Sequence, residues 1–149
     1  MADHADTLAV EFRNIDKAFY GVKANDNVNF QLRKGEVHAL LGENGAGKST
    51  LCSILAGLYR PDAGEFLYEG KPTVFKTPKD ALAAGVGMVY QHFRLVDSFT
   101  VAQNIVLGMP KDQRPRSMRQ IGAQVEALAE EYGLHVDPDA SIWQLSVGE

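Results

Sequence analysis

G-E-N-G-A-G-K-S, Gly42 to Ser49, decides the fold of this 149-residue chain. It matches G-x-x-x-x-G-K-[ST] at every position, a pattern that a chain of this length and average composition holds by accident roughly once in two hundred. Phosphates bind best where backbone N–H groups converge and a helix N-terminus adds its partial positive charge. Gly42, Gly45 and Gly47 permit the torsions and close approach that side chains would block, and Glu43, Asn44 and Ala46 carry the backbone between them. Lys48 brings a point charge to the β- and γ-phosphates, Ser49 offers a hydroxyl oxygen to Mg²⁺, and Thr50 supports the first helical turn. The bland alternative is a glycine-rich turn with an exposed lysine. The setting argues for a nucleotide site over Gly42–Thr50.

That setting is a strand before the loop and a helix after it. V-H-A-L-L (37–41) reads as a strand buried on both faces, of the kind found inside parallel sheets. Leu51, Ile54, Leu55 and Leu58 fall on one helical face, which R-P-D-A-G (60–64) ends. Upstream, Leu8, Val10 and Phe12 alternate with Ala9, Glu11 and Arg13; Val28, Phe30 and Leu32 repeat the alternation, and R-K-G-E (33–36) turns the chain. Downstream, E-F-L-Y-E-G-K (65–71) predicts another strand, residues 78–84 a short helix, and G-V-G-M-V-Y (85–90) a second core strand. Beyond residue 92 the pattern becomes helical. Thr100 and Gln103 have capping-box spacing for a helix to about Leu107. Residues 109–115 form a polar linker, and Ile121, Val125, Leu128 and Tyr132 predict a longer helix that Gly133 ends. No internal repeat or low-complexity tract is present.

Composition narrows the partners. Hydrophobic residues make up 45% and charged residues 23%, which is globular rather than disordered. With 15 basic against 19 acidic residues, a net charge of -4 gives no general attraction to nucleic acid. The single cysteine, Cys52, rules out an internal disulfide. The longest uncharged stretches, such as residues 81–93, fall short of the roughly 20 apolar residues of a membrane span. M-A-D-H-A-D at the start does not read as a secretory signal. The expectation is a cytosolic chain that works at a membrane only through a partner. No N-K-x-D guanine-reading motif occurs, which disfavours a GTPase.

Taken together, G-E-N-G-A-G-K-S-T-L, G-V-G-M-V-Y-Q-H-F and L-S-V-G-E (145–149) resemble the ATP-binding subunit of an ABC transporter, and within it the simple-sugar and nucleoside importer branch. The resemblance runs from about Leu8 to the end. It implies an α/β fold: a P-loop NTPase core with an N-terminal antiparallel β-subdomain (together residues 1–91) and a helical subdomain (residues 92–149). It implies ATP and Mg²⁺ as ligands. It assigns an adenine-stacking aromatic to K-A-F-Y-G (17–21), Phe19 being the choice and Tyr20 the alternative; the bland reading is an aromatic packed on the β-subdomain. Gln91 follows the second core strand and matches the Q-loop glutamine, whose amide both donates and accepts and so suits the Mg²⁺ shell and the attacking water. A solvated loop glutamine is the bland reading. His92 has no second ligand at useful spacing and is not assigned to a metal. Phe93, Leu95, Val96 and Phe99 line either the family's docking groove for the membrane subunit or a satellite core.

L-S-V-G-E corresponds to the opening of the ABC signature, usually L-S-G-G-Q, with Val147 and Glu149 departing from it. In the family, Ser146 and the Gly148 amide of one subunit cap the γ-phosphate held by the other. The helix that follows the signature, the catalytic glutamate and the switch histidine do not occur in these 149 residues. The expectation is therefore an incomplete cassette that binds nucleotide without turning it over. The resemblance further implies transmembrane permease subunits and, through them, a solute-binding protein; a second ABC domain or subunit; and a place on the cytoplasmic face of the cell membrane. The alternatives are a soluble non-transport ABC ATPase, a binding-only module and another P-loop enzyme such as a small-molecule kinase. Basic insertions, absent here, would favour the first.

Overall fold

A computed structural model of the chain describes residues 7–90, 95–109, 114–115 and 117–146. They fall into two compact units, residues 1–89 and 90–149. The first carries an antiparallel sheet in the order β2-β1-β3-β4, with β1 Leu8–Phe19, β2 Val22–Arg33, β3 Ala63–Tyr68 and β4 Lys71–Pro72. Two helices join it, α1 Lys48–Leu55 and α2 Pro78–Ala83.

The sheet runs further than apolar alternation predicts. Val10, Phe12 and Ile15 all point into the core although the last spacing is three, because the pairing with β2 shifts register between Phe12 and Ile15. Asn14, at φ 51°, lies in that irregularity. β2 begins at Val22, six residues before the apolar pattern starts at Val28. Asparagine and aspartate are poor strand formers, yet here their side chains supplement the ladder. The Asn14 amide donates to Asn29 Oδ1 at 3.0 Å, and the Asn27 amide to Asp16 Oδ1 at 2.7 Å. Behind the sheet, Phe12, Phe66 and Phe75 pack as tilted and edge-on pairs with centroids 4.9 and 5.5 Å apart. Leu51 and Ile54 bring α1 into the same core.

Two expectations need correction. Residues 37–41 and 85–90 form no strand, and Val37, Leu41 and Val89 are 100%, 89% and 87% exposed. A strand buried on both faces requires a strand along each edge, and among the described residues neither segment joins the sheet, whose order is β2-β1-β3-β4. Among the described residues the apolar runs stand without a sheet to bury them.

The second unit contains α3 Val101–Gly108, α4 Met118–Glu131 and a 3-10 turn at Ile142–Gln144. Thr100 caps α3 as its spacing predicts: Oγ1 accepts from the Gln103 amide at 3.2 Å, and Gln103 Oε1 accepts from the Thr100 amide at 2.9 Å. Thr100→Ala should therefore cost about 1 kcal/mol, read as a lower urea midpoint for this unit. Ala102, Ile121 and Val125 form the core, joined by Val101, Val106 and Val136. The apolar face of α4 thus differs from the predicted one. Ile121, Val125 and Ala129 are buried, whereas Leu128 and Tyr132 are 57% and 69% exposed. Leu95, Val96 and Phe99 also stay exposed. Their segment is braced by Asn104, whose Nδ2 donates to the Val96 and Thr100 carbonyls at 3.1 Å. Phe93 lies outside the described residues.

Candidate functional site

The loop between residues 41 and 48 is shaped by two left-handed glycines. Gly45 sits at φ 85° and Gly47 at φ 83°, and Gly47 is the N-terminal cap of α1. Gly47 is also pressed against β2: a Cβ there would lie 2.1 Å from the Ala24 carbonyl oxygen and 2.7 Å from Asn25 Nδ2. No other residue fits. The Asn25 amide, on a residue only 4% exposed, donates to the Gly47 carbonyl at 3.2 Å. The β1–β2 hairpin is thereby pinned to the loop.

Lys48 closes the loop. Its ammonium donates to the carbonyls of Gly42 and Glu43, each at 2.7 Å. The turn is completed by the Ala46 amide donating to the Glu43 carbonyl at 3.2 Å. At the start of α1 no side chain caps the helix and no acidic residue stands in its first turn. The helices α2, α3 and α4 differ, since Thr77, Thr100 and Ser117 accept from their first-turn amides. First-turn N–H groups without a cap need an outside acceptor. The loop thus brings together two left-handed glycines, a helix start with no side-chain cap and one ammonium, groups of the kind that can neutralise a phosphate. Gly42–Ala46 and Ser49 are exposed, while Gly47, Lys48 and Thr50 are half-buried.

Phe19 ends β1 and pairs with Val22, a few residues along the hairpin from Asn25. Its ring meets Tyr59 edge-on with centroids 5.0 Å apart, and the Lys17 ammonium lies 5.4 Å from its centroid. Tyr20, the alternative, is fully exposed at φ 49°. The residue that organises this corner, Asp62, carried no signal in the sequence beyond its place in a helix-ending turn. Its Oδ1 accepts from Lys17 Nζ and its Oδ2 from the Ala18 amide, both at 2.7 Å. Lys17, and next the Ala18 N–H, hold the Asp62 carboxyl below its ordinary 3.8. A lowered folded-state value means that this contact stabilises the fold in full at pH above the ordinary carboxyl value. The contribution is lost as acid carries the pH down through the folded value.

Gln91, Gly148 and His92 lie outside the described residues. Ser146 follows the 3-10 turn in the second unit and is exposed. Among the described residues, no helix is long and apolar enough to cross a membrane.

A glycine loop that opens an uncapped helix, closed by its own lysine, defines a phosphate-binding-loop fold. Residues 25–149 match the ABC transporter family, and the chain belongs to that family. It is 50% identical over 140 residues to the guanosine import ATP-binding protein NupO of Bacillus subtilis strain 168, covering 93% of this chain and 28% of that protein. It is 48% identical over 143 residues to the ribose import ATP-binding protein RbsA 1 of Rubrobacter xylanophilus, again covering 93% of this chain and 28% of the relative. Among solved structures, a nucleotide-free ATP-binding cassette from an ABC transporter superposes with a TM-score of 0.77 at 26% identity, over 93% of this chain and 59% of that one. The chain therefore spans under a third of the length of those two relatives and about three-fifths of the solved cassette.

Proposed function

We propose that residues 42–50 hold the triphosphate of ATP in a subunit that powers solute import. The observation that carries this reading is the loop itself, with Lys48 drawn across the Gly42 and Glu43 carbonyls and Gly47 wedged under Ala24 at an uncapped helix start. Lys48 and the first-turn amides of α1 neutralise the phosphates. Ser49 and Gln91 are the proposed contacts for Mg²⁺, which when bound would neutralise charge building on the phosphate oxygens. Gln91 also orients the attacking water, and Phe19 stacks on the adenine.

In the same reading, residues 1–91 form the β-subdomain and P-loop core, and residues 92–149 the helical subdomain. Ser146 and Gly148 meet the γ-phosphate held by a second ABC domain, so that two ATP molecules are sandwiched in the closed dimer. Transmembrane permease subunits and, through them, a solute-binding protein complete the assembly, with this subunit on the cytoplasmic face of the membrane. The solute is a nucleoside in preference to a simple sugar; the likeness to a guanosine importer supports that order, and the ribose relative keeps sugars in the comparison.

Residues 1–149 alone are proposed to bind nucleotide without turnover, because they lack the general-base carboxylate and switch histidine. Steady phosphate release by this segment, abolished in Lys48→Ala, would count against that. The solute is tested with the full-length protein and its permease in vesicles. ATP-dependent uptake of labelled guanosine exceeding that of ribose is the expected result, and ribose uptake alone would reverse the order.

A further inference from the structure

The corner that carries Phe19 is held by one carboxylate from a distant part of the chain. Asp62 uses both oxygens on the two residues immediately before Phe19, accepting from Lys17 Nζ and from the Ala18 amide at 2.7 Å each. Its own amide donates to the Asp16 carbonyl at 2.8 Å, so the turn after α1 is bonded to β1 in both directions. The Lys17 side chain is only 15% exposed, which commits its ammonium to the space between Asp62 and the Phe19 ring. Tyr59, three residues before Asp62, supplies the edge-on contact to that ring. Thus the segment from Tyr59 to Asp62 touches Phe19 directly and also fixes its backbone and its cation.

We infer that Asp62 is a positioning residue for the base end of the nucleotide site, setting the Phe19 ring for stacking through Lys17 and Ala18. This rests on the reading of Phe19 as the adenine platform and extends it to a residue that touches neither base nor phosphate. An aromatic stack contributes only in a narrow range of offsets and tilts. Anchorage of the strand end therefore matters more for the base than for the phosphates, whose cradle is built by separate contacts at Gly42–Lys48.

The test compares ATP with inorganic tripolyphosphate, which has the phosphates and no base. Both are titrated calorimetrically into the full-length protein with Mg²⁺. Asp62→Ala is expected to weaken ATP about two- to ten-fold, the range of one aromatic contact, with tripolyphosphate binding unchanged. Asp62→Asn keeps an acceptor for the Ala18 amide and loses the charge that holds Lys17, so its ATP affinity should fall between the two. Adding Asp62→Ala to Phe19→Ala should cost nothing further, because both act through one contact. Wild-type ATP affinity in both Asp62 variants overturns the proposal whatever their melting temperatures. Equal loss for ATP and tripolyphosphate overturns it too, since that marks a general loosening. An Asp62→Ala loss that persists in the Phe19→Ala background does the same. If Lys48→Ala leaves both ligands bound as in wild type, the site reading itself fails and this inference falls with it.

Discussion

Lys48→Ala in the full-length protein is expected to lower ATP affinity roughly ten- to a hundred-fold, the equivalent of about 1.5–3 kcal/mol for a charge-assisted hydrogen bond. Two losses combine. The phosphates lose a cation, and the loop loses the ammonium that donates to Gly42 and Glu43 at 2.7 Å. Those carbonyls are exposed, so water replaces the lost bonds and the fold loses little. Affinity should therefore fall far more than melting temperature does. Lys48→Arg is the stricter comparison: it keeps the charge, but a planar guanidinium replaces the compact ammonium that spans two carbonyls. It should recover only part of the affinity. Calorimetry with ATP and Mg²⁺ reads both variants, and wild-type affinity in Lys48→Ala would remove this residue from the site.

The loop was legible in the sequence because its requirements are local. Glycine at Gly45 and Gly47 answers to a backbone torsion, and Lys48 follows at a fixed chain distance. The capping box at Thr100 was legible for the same reason. What spacing did not reveal depends on partners far along the chain. Asp62 reaches Lys17 across 45 residues, and no periodicity announces such a pair. The apolar alternation that starts at Val28 does not reach the start of β2, because Asn25, Asp26 and Asn27 are poor strand formers, whereas Asn27 and Asn29 take part in backbone–side-chain bonds that span the two strands. Residues 37–41 and 85–90 fail in the opposite direction. Their apolar runs were read as strands, and a strand exists only once its edges are bonded. In α4 the apolar residues fill more of the circumference than the core can cover, so Ala129 is buried while Leu128 faces out.

Gly47→Ala is expected to damage both fold and binding, and comparison with Gly45→Ala separates the reasons. Both glycines are left-handed, at φ 83° and 85°. A β-carbon in that region costs roughly 1–2 kcal/mol. At Gly45 the added methyl would meet nothing within 4 Å, so the torsional term is the whole effect on stability. At Gly47 the methyl would lie 2.1 Å from the Ala24 carbonyl oxygen. That is backbone, with no side chain to swing away. Overpacking adds roughly 1–3 kcal/mol, giving a total of about 2–5 kcal/mol, a large share of the 5–15 kcal/mol that holds an ordinary domain together. Relief requires the start of α1 to move off β2, which breaks the Asn25–Gly47 bond and turns the first-turn amides out of the cradle. Gly47→Ala should thus unfold several degrees below Gly45→Ala in a thermal scan of the full-length protein, and saturating ATP should raise the melting temperature of Gly45→Ala but not that of Gly47→Ala. Equal melting temperatures for the two variants would mean that the loop does not rest on Ala24, and the hairpin would then have no part in shaping the phosphate site.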